Sequence, residues 1–213
     1  PIVWGGPHPS VTPEQTLADD NVDFVVRGEG ELPFLELVQA LDRKTGIEGI
    51  TGLVYMDGGK VINNGEAKFL DVDELRPIPW ELVNVERYIH RDMYLRDKTR
   101  VLDIGQTSRG CPFDCGFCSS AALRHRRWRA MSPETAVEHI ASHVKRFNLD
   151  GIWLRDDEFY IKRKRAHAIF EGMVDLKFAK PDILDMYAMV PDPHSALDYL
   201  FNYVPQPPDK KWL

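Results

Sequence analysis

All three cysteines of the 213-residue chain fall in one stretch, Gly110-Cys111-Pro112-Phe113-Asp114-Cys115-Gly116-Phe117-Cys118. Metals and clusters are bound by the thiolate form. Spacings of four and then three residues let one tight loop wrap three thiolates around a compact centre. A structural zinc site normally takes four ligands in two separated pairs. There is no fourth cysteine; His125 is a candidate donor but lacks the usual paired spacing. An iron–sulfur cluster accepts three thiolates when its last iron is left for another ligand, as a catalytic metal keeps one open position. The cluster is the preferred reading, with zinc or buried free thiols as the alternatives.

Three charged stretches compete for a role beside this loop. Arg124, His125, Arg126, Arg127 and Arg129, with Trp128 among them, follow it directly. They read as a steering patch for an anionic substrate or carboxylate, as an RNA contact by charge and stacking, or as a solvated loop. Lys162 to Arg165 reads as a solvated helix face. Asp156, Asp157 and Glu158 follow an apolar run, Ile152-Trp153-Leu154, and suit either a ligand at a strand's carboxyl end or the cap of the next helix.

The elements that must position these residues form two series. In the first, Ile2-Val3-Trp4 leads into Gly5-Gly6 and a Pro7-His8-Pro9 turn. Val22 to Val26 is a buried strand ending in Arg27-Gly28-Glu29-Gly30-Glu31. Gly5 and Gly6 sit where open α/β sheets bind ligands, with a simple tight turn as the alternative. The Gly-Glu-Gly-Glu run lacks the third glycine of a dinucleotide fingerprint, Pro33 standing there; it reads as turn and cap chemistry, with contact to a ligand's phosphate at the helix N-terminus as the alternative. Phe34, Leu37, Val38 and Leu41 mark one helix face. Leu53-Val54-Tyr55 and Val61-Ile62 flank Asp57-Gly58-Gly59 as a hairpin. Residues 66–100 form a linker with some local helix.

The second series begins with a strand at Val101 to Gly105, followed by the cysteine loop. Ser132-Pro133-Glu134 starts a helix, with Ser as cap, Pro at the first position and an acid in the first turn. Val137, Ile140, Ala141 and Val144 mark its buried face. After the strand at 152–154 a helix starts near Phe159. Past about Leu176 the pattern weakens, and Pro191, Pro193, Pro205, Pro207 and Pro208 argue against long regular elements. The fold class is α/β, with strand–loop–helix units of the parallel kind.

Charge and composition narrow the partners. With 27 Lys+Arg against 33 Asp+Glu the net charge is −6, so a polyanion site would have to be local. Three clustered thiols are no disulfide framework of a secreted domain. No basic segment followed by an apolar one opens the chain, and no apolar run approaches the roughly 20 residues of a membrane span. The expected compartment is the cytoplasm, and neither a nucleic acid nor a membrane span is expected. The abrupt start on an apolar run, without Met, suggests a fragment.

The CxxxCxxC motif with an aromatic, Phe117, before its last cysteine resembles the radical S-adenosylmethionine (SAM) superfamily. The resemblance implies that Cys111, Cys115 and Cys118 ligate a 4Fe–4S cluster whose remaining iron binds SAM. Reductive cleavage then yields a 5′-deoxyadenosyl radical. It also places Phe117 near the adenine and Asp157 by the SAM amino group or ribose. Upstream, Ile2 to Pro9 and Val25 to Glu31 resemble the last part of a cobalamin-binding domain, with Gly5 and Gly6 beside the cobalamin tail. The Pro77-Ile78-Pro79-Trp80 linker and Arg155 to Phe159 resemble the same B12-binding subfamily, including its anaerobic magnesium-protoporphyrin monomethyl ester cyclase group.

The implied organisation is a partial doubly wound cobalamin-binding sheet over 1–65, a linker over 66–100, and a partial radical SAM (β/α) barrel over 101–213, truncated or atypical after about 176. The implied function is a B12-dependent radical SAM enzyme that methylates, cyclises or otherwise transforms an unactivated carbon of a small molecule. A reducing donor such as flavodoxin or ferredoxin would serve it. The alternatives are a radical SAM methylthiotransferase acting on tRNA or protein, which would need three further cysteines upstream, and a non-catalytic iron–sulfur or cofactor-binding fragment. No catalytic residue is assigned.

Overall fold

The computed structural model describes residues 1–91, 99–179, 188, 190 and 192–204. The first series builds a four-stranded sheet in the order β1 (Val3–Gly5), β2 (Phe24–Val26), β3 (Leu53–Asp57), β4 (Lys60–Asn63). Only β1 and β2 run parallel. Their crossover carries two short helices, α1 (Pro7–Val11) and α2 (Pro13–Leu17), so Pro7 to Pro9 opens a helix rather than making a simple turn. β2 to β4 form an antiparallel meander. Its last turn is the expected hairpin, with Gly58 and Gly59 both at positive φ, the backbone that a two-residue turn needs to match strand twist.

Alternation along β2 divides the core. Val26 packs with Leu37, Ala40, Leu53 and Tyr55 on one side, and Val25 packs with Leu17, Val22 and Val54 on the other, as a period of two requires. The helix α3 (Glu31–Arg43) covers the first side through Pro33, Leu37 and Ala40. Phe34, Val38 and Leu41, expected on the buried face with Leu37, are exposed. The contact face is rotated toward Pro33 and Ala40, which are buried with Leu37.

Residues 66–91 carry three 3-10 turns, Val72–Glu74, Trp80–Leu82 and Val85–Arg87. They run along the second series: Trp80 Nε1 donates to the Asp103 carbonyl at 2.9 Å, and Val72 and Ile89 are buried in the second core. Residues 92–98 of the expected linker lie outside the described residues.

The second series comprises β5 (Val101–Gly105), β6 (Ser108–Arg109), α4 (Ser120–Arg124), β7 (Arg129–Ala130), α5 (Pro133–Phe147), β8 (Gly151–Leu154), α6 (Arg163–Asp175) and α7 (Pro193–Asn202). β5 and β8 pair in parallel, with α5 as their crossover. Ser132 caps α5, its side chain accepting from the Thr135 N–H. Leu102, Ile104, Met131, Ala136, Ile140 and Ile169 fill this core. Gly172 lets α6 approach α5, since a Cβ there would lie 2.6 Å from Val137 Cγ2.

Two expectations change here. α6 starts at Arg163, not near Phe159. Pro193 does not break structure but begins the ten-residue α7, where its missing N–H costs nothing, and Asp192 caps that helix by accepting from His194 and Ser195. Pro191, Pro205, Pro207 and Pro208 lie outside the described residues. Among the described residues, no helix is long and apolar enough to cross a membrane.

Candidate functional site

The cysteine loop is closed at its neck by the two-residue antiparallel ladder of β6 and β7, with Ser108 opposite Ala130 and Arg109 opposite Arg129. Gly110 stands just inside. Its φ is +83°, and a Cβ there would lie 2.1 Å from the Arg127 carbonyl oxygen. Only glycine fits that backbone and that approach.

The acidic segment after β8 fastens the neck from below. Asp156 accepts from the Thr107 N–H at 3.1 Å and the Thr107 hydroxyl at 2.9 Å, and also from the Ser108 hydroxyl. Asp157 accepts from the Gly110 N–H at 3.1 Å. The Glu158 carbonyl accepts from Trp128 Nε1 at 2.8 Å on the far arm. These three residues do not cap the next helix, which begins at Arg163; they tie both arms of the loop to the end of β8.

Beyond the neck the loop is open. Cys111 is half-buried, Cys115 and Cys118 are exposed, and all three are free thiols. The Cys118 N–H donates to the Cys115 carbonyl at 3.0 Å, which turns the chain between the last two. Phe117 is 94% exposed. No three His, Cys, Asp or Glu side chains among the described residues are grouped as a single metal ion requires. In a cluster each thiolate takes a different iron, so the three need share a loop rather than a point. The donor set of three free thiols therefore fits the cluster. His125 is engaged elsewhere, its Nε2 lying 2.6 Å from Glu66 Oε2.

The basic run divides: His125, Arg126 and Arg127 are exposed, as a solvated loop would be, while Arg124 and Arg129 are partly buried and held by a carboxylate of the same chain. Glu29, in the glycine run after β2, has a side chain only 1% exposed and ion-paired to Arg109, Arg124 and Arg129. Arg126 pairs with Asp114, and Arg129 also lies over the Phe69 ring at 4.4 Å. Burial works to raise the Glu29 carboxyl. Hydrogen bonds from Arg129 and the Leu70 N–H, and the charges of Arg109 and Arg129, outweigh it and hold the group below the usual carboxylate range.

The second basic run also departs from expectation at Arg165, which is buried. It donates to the Met131 and Thr107 carbonyls at 2.7 and 2.8 Å, bracing the neck from α6. Neither Glu29 nor Arg165 is visible in residue spacing, because their partners lie far along the chain.

Two cavities meet this arrangement. One of about 460 Å³ is lined by Gly5, Gly6, Gly30, Phe34, Arg109 and Arg124. The carboxyl ends of β1 and β2 thus face the two arms of the cysteine loop. A larger one, about 1060 Å³, lies between α3 and the second series, lined by Leu32, Leu35, Ile78, Trp80, Gly105 and Arg155.

No family model matches the chain. It is 40% identical over 170 residues to an uncharacterized methyltransferase of Pyrococcus horikoshii, covering 78% of this chain and 35% of that protein. It is 31% identical over 177 residues to the anaerobic magnesium-protoporphyrin IX monomethyl ester cyclase of Cereibacter sphaeroides, covering 81% of this chain and 28% of the cyclase. The chain thus spans about a third of the length of these curated relatives. Among solved structures it is similar to OxsB, a cobalamin-dependent S-adenosylmethionine radical enzyme solved with aqua-cobalamin and S-adenosylmethionine bound. The TM-score is 0.62 at 27% identity, over 81% of this chain and 24% of OxsB. In sequence and in fold alike, the chain is similar to cobalamin-dependent radical SAM enzymes and their relatives.

Proposed function

We propose that the whole protein is a B12-dependent radical SAM enzyme acting on an unactivated carbon of a small molecule, by methylation, cyclisation or a related change. The observation that carries this reading is a loop of three free thiols, fastened on both arms, opening beside a glycine-lined cavity at the strand ends of the neighbouring sheet. Cys111, Cys115 and Cys118 would hold the cluster, which when bound supplies the electron for reductive cleavage of SAM. Asp157, fixed by the Gly110 N–H, would take the amino group or ribose of SAM, and exposed Phe117 would cover its adenine. Gly5 and Gly6, with no side chains to intrude, would border cobalamin.

The division of labour is 1–65 for cobalamin, 66–100 as connector and 101–213 for cluster and SAM. Flavodoxin or ferredoxin chemistry would supply the electron, in the cytoplasm. Four of the five basic residues, Arg124, His125, Arg126 and Arg129, pair with Glu29, Glu66 or Asp114, which favours a small-molecule substrate over RNA. Anaerobic reconstitution with SAM and a strong reductant tests the reading: 5′-deoxyadenosine should form, and its absence from a cluster-loaded protein would favour a carrier role.

A further inference from the structure

Glu29 lies within the Val25–Glu31 stretch but has no role in the proposed function, yet it is the most thoroughly partnered carboxylate described. Its three cations come from both arms of the cysteine loop: Arg109 immediately precedes Gly110, and Arg124 and Arg129 follow Cys118. Arg109 and Arg129 are also direct partners in the neck ladder. Like charges opposite one another in a strand pair repel, so the neck sets two guanidiniums side by side and closes only if a carboxylate lies between them. Glu31 takes one further bond from Arg109, but it is exposed and reaches one arm only. Leu70 completes the site, its N–H donating to Glu29 at 3.2 Å and its carbonyl accepting from Arg129 at 2.7 Å.

The neighbours make this carboxylate hard to replace. Nε of Arg109 and Nε of Arg129 are buried without partners, so these guanidiniums already bear a desolvation cost. Removing one partner from a buried ion cluster leaves uncompensated charge, which is far more disruptive than losing an exposed pair. The arginines would relieve that cost by swinging into water, and the neck would open with them.

Resting on the cluster reading above, we propose that Glu29 is a positioning residue for the cysteine loop: one buried carboxylate from the cobalamin-side sheet holds both arms of the thiol loop together and fixes the spacing of Cys111, Cys115 and Cys118. The loop is then preorganised by the neighbouring module rather than by its own sequence, as supporting residues orient metal ligands elsewhere.

Hydrogen exchange on the metal-free full chain tests this without requiring a cluster. Glu29→Gln should speed exchange across residues 107–131 by about tenfold or more, as local opening does, while the hairpin at 53–63 stays as in the wild type. Glu29→Asp, which keeps the charge on a shorter arm, should restore part of the protection. After anaerobic reconstitution Glu29→Gln should retain less iron. Its remaining cluster should have a raised midpoint potential, because loss of a nearby negative charge favours the reduced cluster, whereas Glu29→Asp should stay near the wild-type value.

Unchanged exchange at 107–131 in Glu29→Gln would overturn the proposal. If that variant loosens the hairpin as much as the neck, Arg109→Gln decides, since Arg109 is the only residue of its arm that pairs with Glu29. Faster exchange confined to 107–131 supports the proposal, and unchanged or uniformly faster exchange overturns it. A wild-type chain that takes up no iron, with the exchange results intact, would refute the cluster reading alone.

Discussion

Two loops leave strand ends of this molecule and meet, and they are finished to different degrees. The glycine run after β2 is complete: Glu29 is buried and hydrogen-bonded on both oxygens. The cysteine loop is complete only at its neck. Below Gly110 the Thr107, Ser108 and Gly110 donors all bond to Asp156 or Asp157, while beyond it Cys115, Cys118 and Phe117 stand in solvent. Satisfied polar networks rigidify what they enclose. The difference teaches that the rigidity of the site resides in its support, and that the exposed tip carries the reactive groups.

The sharpest way to break this contrast is to put the same substitution in each loop. Gly110→Ala must place a Cβ 2.1 Å from the Arg127 carbonyl at positive φ. It should cost about 3 kcal/mol or more and abolish cluster retention. Gly28→Ala, also at positive φ but 3.6 Å from the Ala67 Cβ, should cost only about 1 kcal/mol. Urea melts of the two variants measure the gap, and equal costs would deny the neck its special tightness.

Next in size, Asp156→Ala strands the Thr107 N–H and hydroxyl and leaves the Ser108 hydroxyl only its 3.3 Å bond to the Glu158 carbonyl, and both donor residues are buried. A loss of about 2 kcal/mol is expected by the same melts. Titration separates the loops further. The folded pKa of Glu29 is depressed, so its stabilisation is fully present above the unfolded carboxyl value of about 4.3 and is lost as pH falls through the folded one. Melts from about pH 6 down to about pH 3 should show wild type losing stability more steeply than Glu29→Gln; parallel curves would mean that Glu29 is not the acid-sensitive group. The smallest effect belongs to the tip. Arg126 and Asp114 form an exposed pair, and Arg126→Gln should change stability by less than about 0.5 kcal/mol.

What could be read from the sequence follows from the range of each signal. The hairpin at Asp57-Gly58-Gly59, the Ser132 cap and the three cysteines are local patterns, each fixed by neighbours a few residues away. The face of α3 is not local in this sense: apolar spacing marks Phe34, Val38 and Leu41 as readily as Pro33 and Ala40, and the sheet's position decides between them. Pro193 reads as a breaker unless Asp192 is recognised as the cap before it. Glu29 gives no sign at all: its partners Arg124 and Arg129 lie 95 and 100 residues along the chain. Arg165 looks like one more surface cation in a basic run until α6 turns it onto the Thr107 and Met131 carbonyls.

The central claim is that Cys111, Cys115 and Cys118 hold one cluster with an iron left for SAM. Anaerobic reconstitution, iron and sulfide analysis, and electron paramagnetic resonance with and without SAM test it most directly. The expected result is about four irons and four sulfides per chain, a spectrum that changes when SAM is added, and loss of both on replacing any one cysteine with Ala. An iron-free protein carrying stoichiometric zinc, or a cluster whose spectrum SAM leaves unchanged, would contradict it.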